Sequence, residues 1–138
     1  MIASVSKEIG VELLMTFANS VTTQKFKIYL EELRRRYFFD DLCIYLDNLS
    51  VHRSREVRER MDDLSIAYVY SPPYSPDFNG IESVFSIFKN KLKRERLRAI
   101  TNEEEMDCKT RAIELFDEIN ILKINECINF SLNNLFSA

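Results

Sequence analysis

The pattern of apolar and polar positions in the first third of the chain predicts a strand hairpin followed by a helix. Within residues 1–18, "IASVS" alternates between apolar and polar side chains, "KEIG" can form the turn, and "VELLMTFA" is typical of a strand. From Phe26 to Tyr37 the apolar residues recur at the spacing of one helix face. Thr22 or Thr23 can cap that helix at its N-terminus.

Two short, continuously apolar runs in the middle of the chain predict two more strands. "LCIYL" at 42–46 and "IAYVY" at 66–70 have the length and pattern of parallel strands that are covered on both faces. Ser54 can cap a short helix over 55–64 between them. The proline-rich segment 71–79 is predicted to be a loop, because proline cannot continue a strand ladder.

The rest of the chain is predicted to be helical. Apolar positions from Ile81 to Leu92 lie on one helix face, Thr101 and Glu104 have the spacing of a capping box for a second helix, and 121–136 indicates a third. Strands that alternate with helices predict an α/β layered domain with helices on both faces of a sheet. The 138 residues show no repeat, linker or shift in composition, so we interpret them as a single domain.

The composition narrows the class of protein. Hydrophobic residues make up 46% and charged residues 30% of the chain, as in soluble globular proteins. No apolar run approaches the ~20 residues of a membrane span, so no membrane partner is expected. Three widely separated cysteines and one histidine suit neither a disulfide framework nor a Cys/His zinc site. They predict a reducing compartment, the cytoplasm (near the nucleoid) in a bacterium or the nucleus in a eukaryote.

The chain is acidic overall and basic in two places. Its formal net charge is −3, yet "KNKLKRERLR" at 89–98 holds six basic residues against one acid, and "RRR" at 34–36 forms a smaller cluster. A run of this kind is most often a solvated helix face. It also fits a local contact with the phosphates of a nucleic acid.

Two isolated carboxylates are the candidate residues of a functional site. Asp47 follows the predicted strand 42–46, and Glu82 opens the helix that comes after the strand 66–70 and its loop. Because neighbouring parallel strands end at the same edge of a sheet, we expect the two carboxylates to converge there. Each also has a purely structural explanation, Asp47 as a strand-end cap and Glu82 as a first-turn acid that complements the helix dipole.

The helix that begins near Glu82 indicates what such a site would do. Steps of three and four residues put Ser86, Lys89 and Lys93 on the face of Glu82. Carboxylates are ligands that Mg²⁺ prefers, and lysines beside them would bind the phosphates of a polynucleotide. The arrangement is typical of phosphoryl transfer with two metal ions, although both lysines would also suit plain solvated positions.

Together the two motifs resemble the second half of the catalytic domain of mariner-type DDE transposases, and most closely their bacterial insertion-sequence branch. The segments that carry the resemblance are "LDNLSVHRS" and "VYSPPYSPDFNGIESVFSIFKNKLKR". The resemblance covers residues 1–98 well and the C-terminal helices, 99–138, loosely. It implies a ribonuclease-H-like fold in which two Mg²⁺ or Mn²⁺ ions support DNA strand cleavage and strand transfer.

The resemblance also implies roles for individual residues. Asp47 and Glu82 match two of the family's three catalytic, metal-binding acids, and Asn48 and His52 match the polar residues that accompany the first of these two. The residues implied to contact the DNA backbone are Lys89, Lys93 and Arg94. The family usually has proline where this chain has Gly80, and we expect glycine to loosen the start of the helix there.

One part of the family pattern has no counterpart in this sequence. The family's first aspartate ends the first, central strand of the sheet, and none of the acidic residues ahead of Asp47 is predicted to end such a strand. Those residues are Glu8, Glu12, Glu31, Glu32, Asp40 and Asp41. The expected fold is therefore an N-terminally truncated ribonuclease-H-like domain that lacks this strand. Such a chain would hold metal weakly, would be marginal in stability or borrow a partner strand, and would be inactive alone.

Two classes of function follow from the sequence. The first is a fragment of a transposase catalytic domain whose ancestral activity is metal-dependent cleavage and transfer of DNA strands. Its expected partners are DNA and either a second copy of the chain or a full-length transposase. The alternative is a non-catalytic DNA-binding or assembly module, or a decayed element without function. Affinity for DNA that falls steeply with salt would favour DNA binding, whereas co-purification of a full-length transposase would favour assembly.

Overall fold

The computed structural model describes residues 1–137, and for residues 76 and 135–137 it describes the backbone alone. The elements in chain order are β1 (Ile2–Ser6), β2 (Gly10–Met15), α1 (Thr23–Arg36), β3 (Leu42–Leu46), α2 (Arg55–Asp63), β4 (Ile66–Tyr70), a short 3₁₀ turn (Pro76–Phe78), α3 (Gly80–Thr101), α4 (Cys108–Asp117) and α5 (Ile121–Ser137). The chain divides into two compact units, which are described separately. Unit 1 comprises residues 1–3 and 13–79, and unit 2 comprises residues 4–12 and the chain from Gly80 onward.

The elements predicted for the first 70 residues are confirmed. The hairpin and the strands β3 and β4 form where the apolar pattern places them. The hydroxyl of Thr22 accepts a hydrogen bond from the backbone N–H of Lys25 and begins α1. In the same way, Ser54 accepts from the N–H of Val57 and begins α2. Short polar side chains therefore define the starts of both helices of unit 1.

The core of unit 1 lies between the two helices and one face of the β3–β4 sheet. The strands pair in parallel, with a register that runs from Leu42 opposite Ile66 to Leu46 opposite Tyr70. The largest fully buried side chains of this core are Leu30 of α1 and Met61 of α2. Other buried members are Ile2, Phe26, Tyr29, Leu33, Leu46, Val57 and Ile66. This packing fixes the end of β3, where Asp47 follows.

The prediction that β3 and β4 are covered on both faces is wrong. Burial alternates along both strands, and on the outer face Tyr45 is 37% and Val69 52% exposed, while Cys43 and Ala67 are exposed as well. The reason is that α1 and α2 both pack against the same face of the sheet, the one that carries Leu42, Ile44 and Leu46. Within the described residues, β1–β2 and β3–β4 are two separate two-stranded sheets.

Unit 2 is built around the contact between α3 and α5. Phe85 and Phe88 of α3 lie against the ring of Phe116 in α4, with centroid distances of 5.6 and 5.3 Å. At the start of α3, a Cβ atom on Gly80 would lie 2.9 Å from the Cα of Ile128 and 3.1 Å from its nitrogen. Instead of loosening the helix start, glycine lets α3 pack directly on the backbone of α5.

The predicted capping box is wrong. Thr101 is the last residue of α3, and its hydroxyl donates to the carbonyl of Leu97 at 2.9 Å. Helix-favouring residues in the basic run extend α3 beyond its apolar stripe. The helix ends in a Schellman-type turn, with Glu103 at φ 56° and the N–H of Glu104 bonded to the carbonyl of Ala99. The N-cap of α4 is Asp107.

Helices from Cys108 onward complete the described chain. The predicted final helix is confirmed as α5, and α4 precedes it. None of the described helices combines the length and apolar character that crossing a lipid bilayer requires. The interpretation of the whole chain as one partial domain stays a prediction.

Candidate active site

Asp47 is held at the end of β3 by hydrogen bonds to its own loop. Its Oδ1 accepts from the backbone N–H of Leu49 at 3.2 Å and lies 2.6 Å from Nδ1 of His52. A carboxylate can only accept, so Nδ1 of the histidine carries the shared proton. The side chain of Asp47 is 28% exposed, and its other oxygen has no hydrogen bond within the described residues. One oxygen therefore orients the acid, and the other is left without a partner in this part of the chain.

His52 is itself fixed by contacts on two sides. Its ring packs on Phe26 of α1 with a centroid distance of 4.4 Å, and its carbonyl accepts a hydrogen bond from the hydroxyl of Tyr70 at 2.8 Å. Burial raises the pKa of the Tyr70 hydroxyl, so this group keeps its proton and remains a donor at neutral pH. The histidine that orients Asp47 thus joins α1, the loop after β3 and the end of β4.

Asn48 ties the proline-rich loop to the same place. Its side-chain amide donates to the carbonyl of Ser71, and the N–H of Ser71 donates to the carbonyl of Leu46 at 2.7 Å. The start of the loop is therefore bonded to the residues on either side of Asp47. These contacts agree with a supporting role for Asn48 and His52, and their part in catalysis stays a prediction.

Glu82 lies in unit 2, in the first turn of α3, and is exposed. Ser86, Lys89 and Lys93, which helical spacing places on the same face of α3, are exposed too. Arg96, which was not predicted, continues the same face by one more step of three residues. That Glu82 and Asp47 converge stays a prediction.

The basic run of α3 carries free cations. Lys89, Lys93 and Arg94 are exposed and form no ion pair within the described part of the chain. Arg94 is one residue from Lys93, so it points about 100° away around the helix. The two lysines, but not Arg94, therefore share the face of Glu82.

Comparison with known proteins shows the family. The sequence profile of the DDE superfamily endonuclease family matches residues 1–107, and thus both motifs. The chain belongs to the DDE superfamily endonucleases. No curated protein matches this DDE endonuclease in sequence.

Solved structures agree with the fold. The crystal structure of the catalytic domain of the Mos1 mariner transposase matches with a TM-score of 0.54 and 18% identity, over 87% of this chain and 68% of the other. A structure of the Mos1 transposase catalytic domain with raltegravir and Mn gives the same score and identity, over 87% and 69%. The predicted mariner-type resemblance and the ribonuclease-H-like α/β fold are confirmed.

The described residues of this DDE endonuclease offer carboxylates for a metal but no closed metal site. Asp47 keeps one oxygen free and the Glu82 carboxylate is exposed, so both fit as ligands of a hard cation. However, no group of three or more His, Cys, Asp or Glu side chains that could hold a metal ion is found among the described residues.

The arginine cluster at 34–36 serves the fold. The guanidinium of Arg34 donates to the carbonyls of Tyr37 and Asp40, each at 2.9 Å, and of Ser65 at 3.3 Å. Arg35 pairs with Glu32 one turn earlier. The charge of Arg34 is therefore used by backbone carbonyls around the end of α1, and that of Arg35 by an acid of the same helix.

Sequence analysis missed two other arginines, Arg53 and Arg58. The guanidinium carbon of Arg53 lies 5.8 Å from the ring centroid of Tyr70. The positive charges of both arginines partly offset the rise that burial causes in the pKa of the Tyr70 hydroxyl. The available signal was the position of Arg53 directly after His52.

Proposed function

We propose that this chain is part of a transposase catalytic domain whose chemistry is metal-dependent cleavage and transfer of DNA strands. The observation that carries the proposal is the family match, which spans both acidic motifs. The hydrogen bonds that orient Asp47 at the end of β3 support it. Membership of the family supports a transposase-type nuclease function. We propose in addition that DNA is the substrate of this chain.

In this proposal Asp47 and Glu82 bind the metal ions, and His52 keeps Asp47 in its binding orientation. When bound, Mg²⁺ or Mn²⁺ activates the attacking oxygen and stabilises charge on the phosphate. Lys89 and Lys93 bind phosphates along the face of α3, where two exposed cations follow Glu82 at helical spacing. Asn48 holds the start of the proline-rich loop against the residues that flank Asp47.

We expect the isolated chain to bind DNA and not to cleave it. Two implied ligands leave the two-metal site incomplete, and the described residues contain no three-donor group. The test is incubation of supercoiled plasmid with the chain and either Mg²⁺ or Mn²⁺. We expect no nicking above background. Nicking that the wild-type chain performs and the Asp47→Asn variant does not would show that the chain alone is an active nuclease.

DNA binding is tested on the same preparation. Fluorescence anisotropy with a labelled duplex should give an affinity that falls steeply as salt rises, because bound cations release counterions from the phosphates. Lys89→Gln with Lys93→Gln should weaken the binding and reduce its salt dependence. The absence of any salt-dependent binding by the wild-type chain would count against DNA as the substrate.

A second candidate, assembly with another chain, is favoured by the open face of the β3–β4 sheet. Tyr45 and Val69 are exposed there and lie directly opposite each other in the paired strands. We propose that a partner copy or a full-length transposase covers this face. Light scattering would give the oligomeric state of the wild-type chain and of Tyr45→Ser. A monomer in both cases, with no co-purifying transposase, would contradict assembly.

A further inference from the structure

The arginines of unit 1 differ in whether their guanidinium groups bind other groups of the same chain. Most are held by acids or carbonyls within the fold. Arg34 binds three carbonyls, Arg35 pairs with Glu32, Arg55 pairs with Glu59 at 2.6 Å, and Arg60 pairs with Glu31 at 2.8 Å. Arg53 and Arg58 are exposed and form no ion pair within the described residues. Glu56, which lies between them in sequence, pairs with neither in that part of the chain.

These two cations border the residues that orient Asp47. Arg53 follows His52 directly, and its guanidinium lies 5.8 Å from the ring centroid of Tyr70. The charges of both arginines act on the Tyr70 hydroxyl, which donates to the carbonyl of His52. His52 in turn contacts Asp47 at 2.6 Å. A continuous set of contacts thus links Arg53 to the carboxylate, whereas Arg58 is linked to this set through the action of its charge on the Tyr70 hydroxyl.

The chemistry of the pair fits a phosphodiester. Guanidinium groups present several N–H donors in a plane and bind phosphate oxygens in a bidentate manner. Arg53 is held in place by the ring of Tyr70, which lowers the entropy cost of binding. Arg58 lies one turn into α2, where its guanidinium is exposed and free of ion pairs within the described residues.

We propose that Arg53 and Arg58 bind the backbone phosphates of the DNA strand next to Asp47. This DNA contact lies in unit 1 and is additional to the lysine face of α3. The proposal rests on the proposed function, because it takes DNA as the ligand. It assigns the two arginines to strand positioning, while the carboxylates hold the metal.

The test is the salt dependence of duplex DNA binding by full-length variants. Each phosphate contact contributes about 0.9 to the slope of log affinity against log salt concentration. Arg53→Gln and Arg58→Gln should each reduce the steepness of that slope by about one unit, and the double variant by about two. Arg55→Gln removes the same charge from the same segment, but Arg55 is paired with Glu59, so its slope should equal that of the wild type.

One further variant and a stability measurement keep the test decisive. Arg53→Lys retains a point charge and should keep the wild-type slope, whereas a purely structural role for the guanidinium would not be rescued. Unchanged melting temperatures show that slopes are compared between folded proteins. If the wild type binds DNA, and Lys89→Gln with Lys93→Gln reduces the slope while the Arg53 and Arg58 variants do not, this proposal is wrong and the proposed function stands. If the wild type shows no salt-dependent binding, both fail.

Discussion

Nδ1 of His52 lies 2.6 Å from Oδ1 of Asp47, so the only histidine of the chain is bonded to the acid at the end of β3. The same carboxylate oxygen accepts from the N–H of Leu49. Both contacts use one oxygen and leave the other without a hydrogen bond in the described residues. This geometry prepares Asp47 to bind a cation without further rearrangement of its side chain.

Replacing His52 should weaken metal binding without unfolding the site. His52→Phe keeps a ring against Phe26 and removes the hydrogen bond to Asp47. Loss of an orienting partner typically lowers metal affinity by about 10–100-fold. Isothermal titration with Mn²⁺ measures the change, and Glu56→Gln serves as a control that removes a nearby acid. Equal affinity of wild type and His52→Phe would mean that the histidine does not position Asp47.

Tyr74 should be replaced by glycine with a gain in stability. Its φ is 58°, a left-handed conformation, and its side chain is fully exposed, so the ring contributes no burial that offsets the strain. Ser65 and Glu103 also have positive φ, but each lies just after the last residue of a helix, where that conformation is common. Tyr74→Gly should raise the free energy of unfolding by about 1 kcal/mol in a urea titration. Tyr74→Ala retains a Cβ and should gain little, and equal gains for both variants would contradict the role of φ.

Gly80 should tolerate no side chain. A Cβ atom there would lie 2.9 Å from the Cα of Ile128, so α3 and α5 must move apart. Gly80→Ala should therefore lower the free energy of unfolding by about 1–3 kcal/mol despite the better helix propensity of alanine. Asn90→Ala, at an exposed position of the same helix, is the control and should be neutral or slightly stabilising. A Gly80→Ala chain as stable as the wild type would show that the helices do not approach this closely.

Stability in acid should depend on Asp107. Hydrogen bonds from the Thr110 hydroxyl at 2.5 Å and from the N–H of Lys109 at 3.0 Å lower the pKa of its carboxyl group. A carboxyl group whose pKa is lower in the folded state stabilises the protein above its unfolded pKa, and this contribution is lost as the pH falls through the folded pKa. Asp107→Asn keeps an N-cap and removes the titration. Between pH 7 and pH 3, the melting temperature should fall less in this variant than in the wild type, and an equal fall would contradict the assignment.

The strands and the position of Asp47 could be predicted because the signals are local. Apolar runs bounded by polar residues gave the limits of β3 and β4, and hydroxyl caps gave the starts of α1 and α2. Which faces are covered could not be predicted, because a continuously apolar strand reads the same whether one or both faces are packed. Tyr45 and Val69 are exposed although their strands are apolar throughout.

The remaining errors arose where tertiary contacts decide the outcome. In the sequence, Gly80 suggests a flexible start of α3. In the fold, the backbone of Ile128 approaches so closely that there is no room for a side chain at position 80. The spacing of Thr101 and Glu104 fits a capping box, but the helix-favouring run before it carries α3 through Thr101. The sequence does not distinguish Arg53 and Arg58, which form no ion pair within the described residues, from Arg55, which pairs with Glu59, because the side-chain positions in the fold decide the pairing.

We propose that Asp47 and Glu82 bind the same metal centre. The most direct measurement is a double-mutant cycle on Mn²⁺ affinity, with Asp47→Asn, Glu82→Gln and the combined variant. If both acids hold one centre, each single change should weaken binding by at least about tenfold, and the double variant should bind little more weakly than either single variant. Affinity that is unchanged in the single variants, or losses that simply add in the double variant, would contradict a shared site.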